Sequence, residues 1–405
     1  DICSSECLTL DGYFKNFSVV YDLPIYTLSP VLCDRPMLGA VSNRLRLNGR
    51  YRFCPWLSLT ASYDFAPRVQ DPLLFESDVI MTNIDAFSYR LKDFDSRLYP
   101  SKDDTVGSFA LFHNLDRAFF MVRVSQFDLY LGRQAIAWGS ARVINPTDII
   151  APFVYGELDI EDRSGVDAVR VRVPMGFMGE IDAGYVFGDD GHFDNSALYL
   201  RGRYYVARTD IAVIIAGFRG NAMVGIDLTR AIGGAGVWLE VAQVFADAMD
   251  NSGNVQKDYL RASLGLDYNF RGNIYTFLEY HYNQPGTGDA GSYLENMESI
   301  AYSDGTVYLM GEHYITPGVS CQITPLITVS GEALVNLADP SVMLSPTVEY
   351  NIAEDIYVAI GAWVGFGRSP HIKIQRSTPS EKQLVLRSEF SGYPDVYFGS
   401  FRIYF

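Results

Sequence analysis

Apolar and polar residues alternate position by position in one segment after another of this chain. Residues 260–270 place Leu, Ala, Leu, Leu, Tyr and Phe on one face and Arg, Ser, Gly, Asp and Asn on the other. A period of two is the period of a β-strand. Segments of about ten residues also have the length with which a tilted strand crosses a bilayer. The longest apolar stretches, such as 211–217, are far shorter than the roughly 20 residues of a membrane-spanning helix.

The lengths of the connections distinguish a membrane barrel from a soluble β-sandwich, which would also alternate. Every second connection is very short, as at 125–126 and 271–272, whereas the others include 67–114, 139–164 and 368–394. Short periplasmic turns that alternate with long extracellular loops are typical of outer-membrane barrels. We therefore predict strands at approximately 8–21, 39–52, 55–66, 115–124, 127–138, 165–174, 178–187, 196–206, 209–217, 221–230, 234–245, 257–270, 273–283, 306–321, 324–336, 341–352, 355–367 and 395–405.

These strands predict a single all-β domain over residues 1–405: a transmembrane, antiparallel up-and-down β-barrel of about 18 strands in the outer membrane of a Gram-negative bacterium. Segments 85–94 and 383–390 also alternate, so 20 strands is the alternative count. An even count places the C-terminus in the periplasm. We expect the extracellular loops 67–114 and 139–164 to fold into the lumen. No signal peptide opens the sequence, so we expect an exported, mature chain.

The formal net charge is −16, which argues against nucleic acid as a partner because phosphates require a basic face. No haem-attachment motif, nucleophile elbow or phosphate-binding glycine loop occurs, and the histidines lack metal-ligand spacing. We expect no enzyme activity, no metal and no cofactor of its own. The expected partners are outer-membrane lipid, lipopolysaccharide and the barrel-assembly machinery.

The polar faces of the predicted strands contain a charge pattern. Strands that run toward the periplasm contribute mostly arginine and their neighbours mostly carboxylates, so the two are within reach of cross-strand pairing. We predict the pore-lining residues to be Arg46, Arg50, Arg117, Arg123, Arg170, Arg172, Arg201, Arg203, Arg261, Asp64, Asp182, Glu240 and Glu279. Such a lumen would select polar or charged solutes; the alternative is that the pairs only brace the wall. The pattern does not decide which face of strand 127–138 points inward, because both faces are mixed. It also does not decide which of the consecutive residues Glu312 and His313 faces inward.

The last predicted strand ends on an aromatic residue. Tyr397, Gly399, Phe401, Ile403 and Phe405 share one face of it. A terminal strand that ends in Phe resembles the signal read by the barrel-assembly machinery, and the alternative is a chance aromatic end on an edge strand.

Residues 131–148 contain the most distinctive local sequence. Gly132-Arg133-Gln134 and Trp138-Gly139 precede Asn145-Pro146-Thr147-Asp148. Because Asn before Pro avoids helical dihedrals, we expect the strand to end near Trp138 and the loop to turn sharply at Asn145. These segments, together with 11–16, 115–117 and 388–395, resemble a large, poorly characterised group of proteobacterial porin-like outer-membrane proteins. The resemblance covers the whole chain and implies the fold and compartment, but no substrate.

The five cysteines depart from what we expect of ordinary diffusion porins. Cys7 precedes the first strand and Cys54 follows the second, so both are expected at the periplasmic rim. We predict a Cys7–Cys54 disulfide, with Cys3–Cys7 as the competing pair.

Two functions from different classes fit the sequence. The first is an outer-membrane channel for passive passage of small hydrophilic solutes, narrowed by its loops. The second is the barrel sheath of an electron conduit, which would enclose multihaem c-type cytochromes and carry haem only through that partner. A TonB-dependent transporter is disfavoured, because it would have a plug domain and about 22 strands.

Overall fold

The computed structural model describes residues 7–24, 37–76, 89–93, 96–153, 155, 158–249, 257–303, 306–374 and 382–405. In this part of the chain 18 strands form a closed antiparallel barrel. They are β1 (Leu8–Asp22), β2 (Met37–Cys54), β3 (Leu57–Gln70), β4 (Phe109–Arg123), β5 (Asp128–Gln134), β6 (Val166–Met175), β7 (Gly179–Val186), β8 (Ala197–Val206), β9 (Thr209–Phe218), β10 (Asn221–Ile232), β11 (Ala235–Phe245), β12 (Tyr259–Phe270), β13 (Ile274–Asn283), β14 (His313–Thr324), β15 (Ile327–Asn336), β16 (Ser341–Leu344 and Thr347–Ala353), β17 (Ile356–Phe366) and β18 (Asp395–Tyr404).

Each strand pairs with the next one along the chain, and the first and last strands close the ring. β1 pairs with β18 from Tyr13–Tyr404 to Asp22–Asp395. Beyond this ladder, Gly12 and Phe405 exchange two main-chain hydrogen bonds of 2.8 and 3.0 Å. Closure leaves no strand edge unpaired, which is the condition for placing a sheet in lipid. The predicted fold class is confirmed.

Several strand boundaries differ from the sequence prediction. β4 begins at Phe109 rather than at 115, and β14 begins at His313 rather than at 306. β16 is interrupted at Ser345-Pro346, where proline has no N–H to give to the ladder. Segment 382–385 does not enter the barrel, because it pairs with 371–374 in a separate two-stranded sheet. Of the other candidate segment, residues 85–88 and 94 lie outside the described residues. The count is therefore 18 rather than 20.

The two faces of the barrel wall differ as the alternation predicts. On β12, Leu264 and Leu266 are 49% and 48% exposed on the outside, whereas Arg261 and Ser263 are 4% and 0% exposed on the inside. An exposed apolar band of this extent is unfavourable in water and is the outer surface of a barrel in lipid. None of the described helices is long and apolar enough to span a membrane. We call the rim with the short connections, such as 125–126 and 271–272, the short-turn end. The opposite rim, with long connections such as 139–164, is the long-loop end.

The predicted Cys7–Cys54 disulfide is wrong. Cys54 is a free thiol, as is Cys321, whereas Cys7 is disulfide-bonded. Cys3 of the competing pair lies outside the described residues. Cys54 sits at an irregularity of the β2–β3 register, between Arg52 and Cys54, which strand spacing alone does not reveal.

Closure at the β1–β18 seam can be tested at Gly12. A Cβ there would lie 2.4 Å from the Arg46 carbonyl oxygen and 3.0 Å from the Phe405 ring. We expect Gly12→Val to abolish the compact form that folded barrels show when unheated samples are run in SDS gels. Gly202→Val is the matched control, because no atom lies within 4 Å of its Cβ position. Equal folding of the two variants would contradict the seam assignment.

Candidate lumen and inner loop

The connection between β5 and β6 lies against the inner face of the wall. We call residues 135–165 the inner loop. Its Ile136, Ile149 and Ile150 are buried in one cluster with the inward-facing Ile214 and Ala242 of the wall. Because Ile136 and Trp138 pack inward, the chain leaves the ladder at Gln134, and the prediction that β5 runs to Trp138 is wrong.

A turn closes the first part of the inner loop. The Trp138 indole Nε1 donates to the Thr147 carbonyl at 2.5 Å, and the Asp148 N–H donates to the Asn145 carbonyl at 3.3 Å. Gly139 has φ of +108°, and a Cβ there would lie 2.3 Å from Asn145 Oδ1. Only glycine fits this conformation and this space. The turn at Asn145 that the sequence predicts is present.

Glu279 of β13 binds the main chain of the inner loop. The N–H groups of Arg142, Val143 and Ile144 donate to its carboxylate, at 2.7 Å for Arg142 and 3.0 Å for Ile144. The Trp238 indole of β11 donates to the same carboxylate at 2.9 Å. Glu279 is 1% exposed. A buried carboxylate is tolerated when several donors satisfy it, so these bonds fix the inner loop to the wall.

Glu240 of β11 makes a second set of contacts with the same loop. It accepts the N–H groups of Ser140 and Ala141 at 3.1 and 3.2 Å. It also accepts the N–H and the hydroxyl of Thr147, at 2.8 and 2.6 Å. On the neighbouring strand, Asp227 accepts the Ser140 hydroxyl. Two glutamates and one aspartate of the wall thus hold residues 140–147.

The far part of the inner loop reaches the opposite wall. Asp159 lies 2.9 Å from Lys15 and 2.8 Å from Arg44, and Glu161 lies 2.7 Å from Lys15. The Tyr13 hydroxyl donates to Asp162 at 2.6 Å. β1 and β2 therefore contact one part of the loop while β10, β11 and β13 contact another.

Asp148 and Arg163 join the two parts of the inner loop. Their side chains lie 3.1 Å apart, and Asp148 is fully buried. Burial raises the pKa of the Asp148 carboxyl to about 6, against the lowering effect of Arg163. Arg163 also donates to the Ala151 carbonyl at 2.6 Å, so it braces the loop from inside.

The predicted pore-lining residues fall into four groups. Arg170 with Asp182 (2.5 Å), Arg172 with Glu180, Arg46 with Asp64 (3.6 Å) and Arg117 with Asp116 (2.5 Å) form ion pairs on the inner face. Glu240 and Glu279 hold the inner loop. Among the described residues Arg50, Arg201, Arg203 and Arg261 have no carboxylate within 4.0 Å. Arg123 is 62% exposed at the short-turn end, 3.4 Å from Asp128.

The sequence pattern missed two inward-facing groups. Asp116 is the extra residue of a register shift in which Ser62 pairs with Arg117 and Tyr63 with Leu115. The shift turns both Asp116 and Arg117 inward, where Asp116 lies 2.5 Å from Arg46. Lys15 is fully buried by the acids of the inner loop, and a lone lysine in a strand pattern gave no sign of this.

The structure also assigns the faces that the pattern left open. Arg133 points outward at the long-loop end, where it pairs with Asp167 at 2.8 Å. His313 lies beside Tyr280 and Tyr282 of the neighbouring strand, whereas the next residue, Tyr314, is fully buried inside. Glu312 precedes the strand.

Ser263 and His281 form a hydrogen-bonded pair that resembles a catalytic serine and its general base. Ser263 Oγ lies 2.9 Å from His281 Nδ1 and donates to the Ile144 carbonyl at 2.7 Å. Because the hydroxyl proton is used by Ile144, Nδ1 must be the donor to Ser263. The pair thus helps to hold the inner loop, and it lacks the arrangement that activates a serine.

Glu389 organises the connection between β17 and β18. It accepts the Met310 N–H at 2.9 Å, the Tyr314 hydroxyl at 2.5 Å and the Asn336 amide at 2.8 Å. Its own N–H donates to Asp339 at 2.6 Å. Burial raises the pKa of the Glu389 carboxyl to about 7, although these donors oppose the shift.

This pKa predicts how stability depends on pH. Because the folded-state pKa lies above the unfolded value of roughly 4.3, the proton stabilises the fold at low pH, and this contribution is lost as pH rises through about 7. We expect thermal stability in detergent to fall between about pH 4.5 and pH 7 and to level off above pH 7, and Glu389→Gln to flatten that slope. Glu354→Gln, at an exposed turn residue, is the control and should keep the slope.

Removal of Glu279 tests the attachment of the inner loop. Glu279→Ala leaves the N–H groups of residues 142–144 without their acceptor. We expect a loss of about 3 kcal/mol in unfolding free energy and faster proteolysis within the inner loop. Glu180→Ala removes one partly exposed ion pair with Arg172 and should cost less than about 1 kcal/mol. If the two variants lose the same stability, Glu279 is not an anchor.

Comparison with known proteins supports the fold. No protein-family model and no curated protein matches the chain. Among solved structures, it is similar to Pseudomonas aeruginosa OprD, with a TM-score of 0.56 at 11% identity over 98% of this chain and 95% of that one. Acinetobacter baumannii OccAB2 gives 0.56 at 9% identity over 98% of each chain. A BenF-like porin from Pseudomonas fluorescens gives 0.55 at 10% identity over 98% and 99%. At these identities the likeness concerns the fold alone, the closed antiparallel barrel described above.

Proposed function

We propose that this chain is an outer-membrane channel for the passive passage of small hydrophilic solutes. Its apolar outer face fits lipid, its inner face is polar, and the inner loop crosses from one wall to the other and narrows the interior. We place the short turns and the C-terminus in the periplasm and the long loops outside the cell, as is usual for such barrels. The similar structures, one of which is described as a porin, support this proposal.

The main observation behind the proposal is that the inner loop binds the inward-facing carboxylates, whereas several inward-facing arginines have no carboxylate partner in the described part of the chain. The carboxylates of Asp227, Glu240 and Glu279 are occupied by N–H and O–H groups of the inner loop. Arg201 and Arg203 of β8, separated from Asp227 of β10 by β9, have no carboxylate within 4.0 Å among the described residues. Guanidinium groups that have no direct carboxylate partner and that face a pore attract anions. We therefore propose that the channel prefers anionic over cationic solutes.

Planar-bilayer recordings test both parts of the proposal. The purified barrel should conduct ions steadily. Under a salt gradient, the sign of the reversal potential should show that anions are more permeant than cations. We expect Arg201→Glu with Arg203→Glu to lower the anion-to-cation permeability ratio at least about threefold, because two charges change sign. Arg271→Glu, in an exposed short turn outside the lumen, is the control and should leave the ratio within about twofold.

Two results would contradict the proposal. A folded barrel that does not conduct would refute the channel, and a cation preference in the unmodified chain would refute the selectivity. The electron-conduit sheath stays an untested hypothesis, and no contact among the described residues favours it. The inner loop occupies wall positions that an enclosed cytochrome would need. Stoichiometric haem in the purified barrel would revive it.

A further inference from the structure

A charged cluster lies on the outer face of the barrel, where apolar residues are expected. Arg133 of β5 shares its face with Leu131, and Asp167 of β6 shares its face with Val169; both apolar neighbours are exposed, at 37% and 39%. Arg133 binds Asp167 through two nitrogens at 2.8 and 3.0 Å and lies 2.8 Å from Asp93. Charges on a lipid-facing wall are tolerated near the membrane interface far better than at the midplane. This cluster therefore marks the interface at the long-loop end.

Residues 89–93 cover the cluster from outside. The Leu91 N–H donates to Asp167 at 2.9 Å, and the Lys92 carbonyl accepts from Arg133 at 3.3 Å. Arg90 donates to the Gly165 carbonyl at 2.9 Å. These bonds fix the main chain on either side of Lys92. Its exposed ammonium has no carboxylate within 4.0 Å among the described residues.

A cleft of about 450 Å³ opens beside this segment. Its walls include Leu91, Leu115, Val169 and Phe187, together with Lys92 and the Arg133–Asp167 ion pair. A largely apolar cleft in the outer wall, with an ammonium group that is unpaired among the described residues on a fixed segment of main chain at the interface, is complementary to an acyl chain below an anionic headgroup. The chain as a whole carries −16, so this local cation is needed to hold such a lipid.

We propose that this cleft binds a phosphorylated glycolipid of the outer leaflet, with an acyl chain against Val169 and Phe187 and a phosphate on Lys92. The inference rests on the membrane placement in the proposed function, but not on conduction. The bound lipid would add a contact to segment 89–93, which Arg133 already joins to the end of β5 from which the inner loop departs.

Native mass spectrometry of the whole barrel in detergent tests this proposal. The probes are bis-phosphorylated lipid A, its dephosphorylated form and phosphatidylethanolamine. We expect one equivalent of lipid A to be retained, with at least about fivefold weaker retention of the other two probes, since only lipid A brings phosphates that remain uncompensated. Lys92→Glu should weaken lipid A retention at least about fivefold, and Lys102→Glu, an exposed lysine of the same connection, should not.

A second variant tests the apolar part of the cleft. Val169→Trp fills it without changing charge, and we expect it to lower retention of lipid A as well. Heat-modifiable gel mobility checks that each variant folds. The proposal would be overturned if Lys92→Glu and Lys102→Glu retained lipid A equally. It would also be overturned if dephosphorylated lipid A bound as well as lipid A, or if the barrel formed a dimer and no lipid adduct was detected. A barrel that conducts but retains no lipid A would refute the lipid site and leave the proposed channel function standing. A chain that stays monomeric without detergent would refute both the lipid site and the membrane placement.

Discussion

The closed ladder of main-chain hydrogen bonds is the constraint on which the rest of this structure depends. Lipid offers no partner to a free N–H or carbonyl group, so the first and last strands must pair. The β1–β18 register from Tyr13–Tyr404 to Asp22–Asp395 satisfies this condition, and Gly12 with Phe405 extends it. Once the ring is closed, alternation alone decides which side chains meet lipid and which face the interior.

The interior is shaped by a second kind of bond, from wall carboxylates to the main chain of a loop. Glu240 and Glu279 each accept several donors of the inner loop, and neither is accessible to solvent to any useful extent. At the other wall Lys15 and Arg44 bind Asp159 of the same loop. Charges that look like a pore lining in the sequence therefore have several roles: some attach the loop, some form ion pairs on the wall, and a few arginines have no carboxylate partner within 4.0 Å among the described residues. The proposed selectivity follows from that division.

Sequence reasoning located most of the relevant residues but could not assign their roles. Arg170 and Asp182 were expected near each other because their strands are neighbours, and they form an ion pair of 2.5 Å. Asp116 was missed because a single extra residue in β4 changes which face it occupies, and a bulge has no clear pattern. Arg133 could not be placed because both faces of its strand are mixed, and the outward position depends on the covering segment 89–93. The Cys7–Cys54 pairing failed because proximity at a rim does not determine the geometry of a bond.

By itself the sequence determined the strand order, a count of about 18 with 20 as the alternative, and the inward or outward face of most strands, because these follow from local period and loop length. Only the tertiary structure decided where the inner loop lies and which charges it occupies. Those contacts join residues far apart in the chain, such as Arg142 with Glu279 and Lys15 with Asp159. Their partners are brought together by closure of the barrel, which no local pattern encodes.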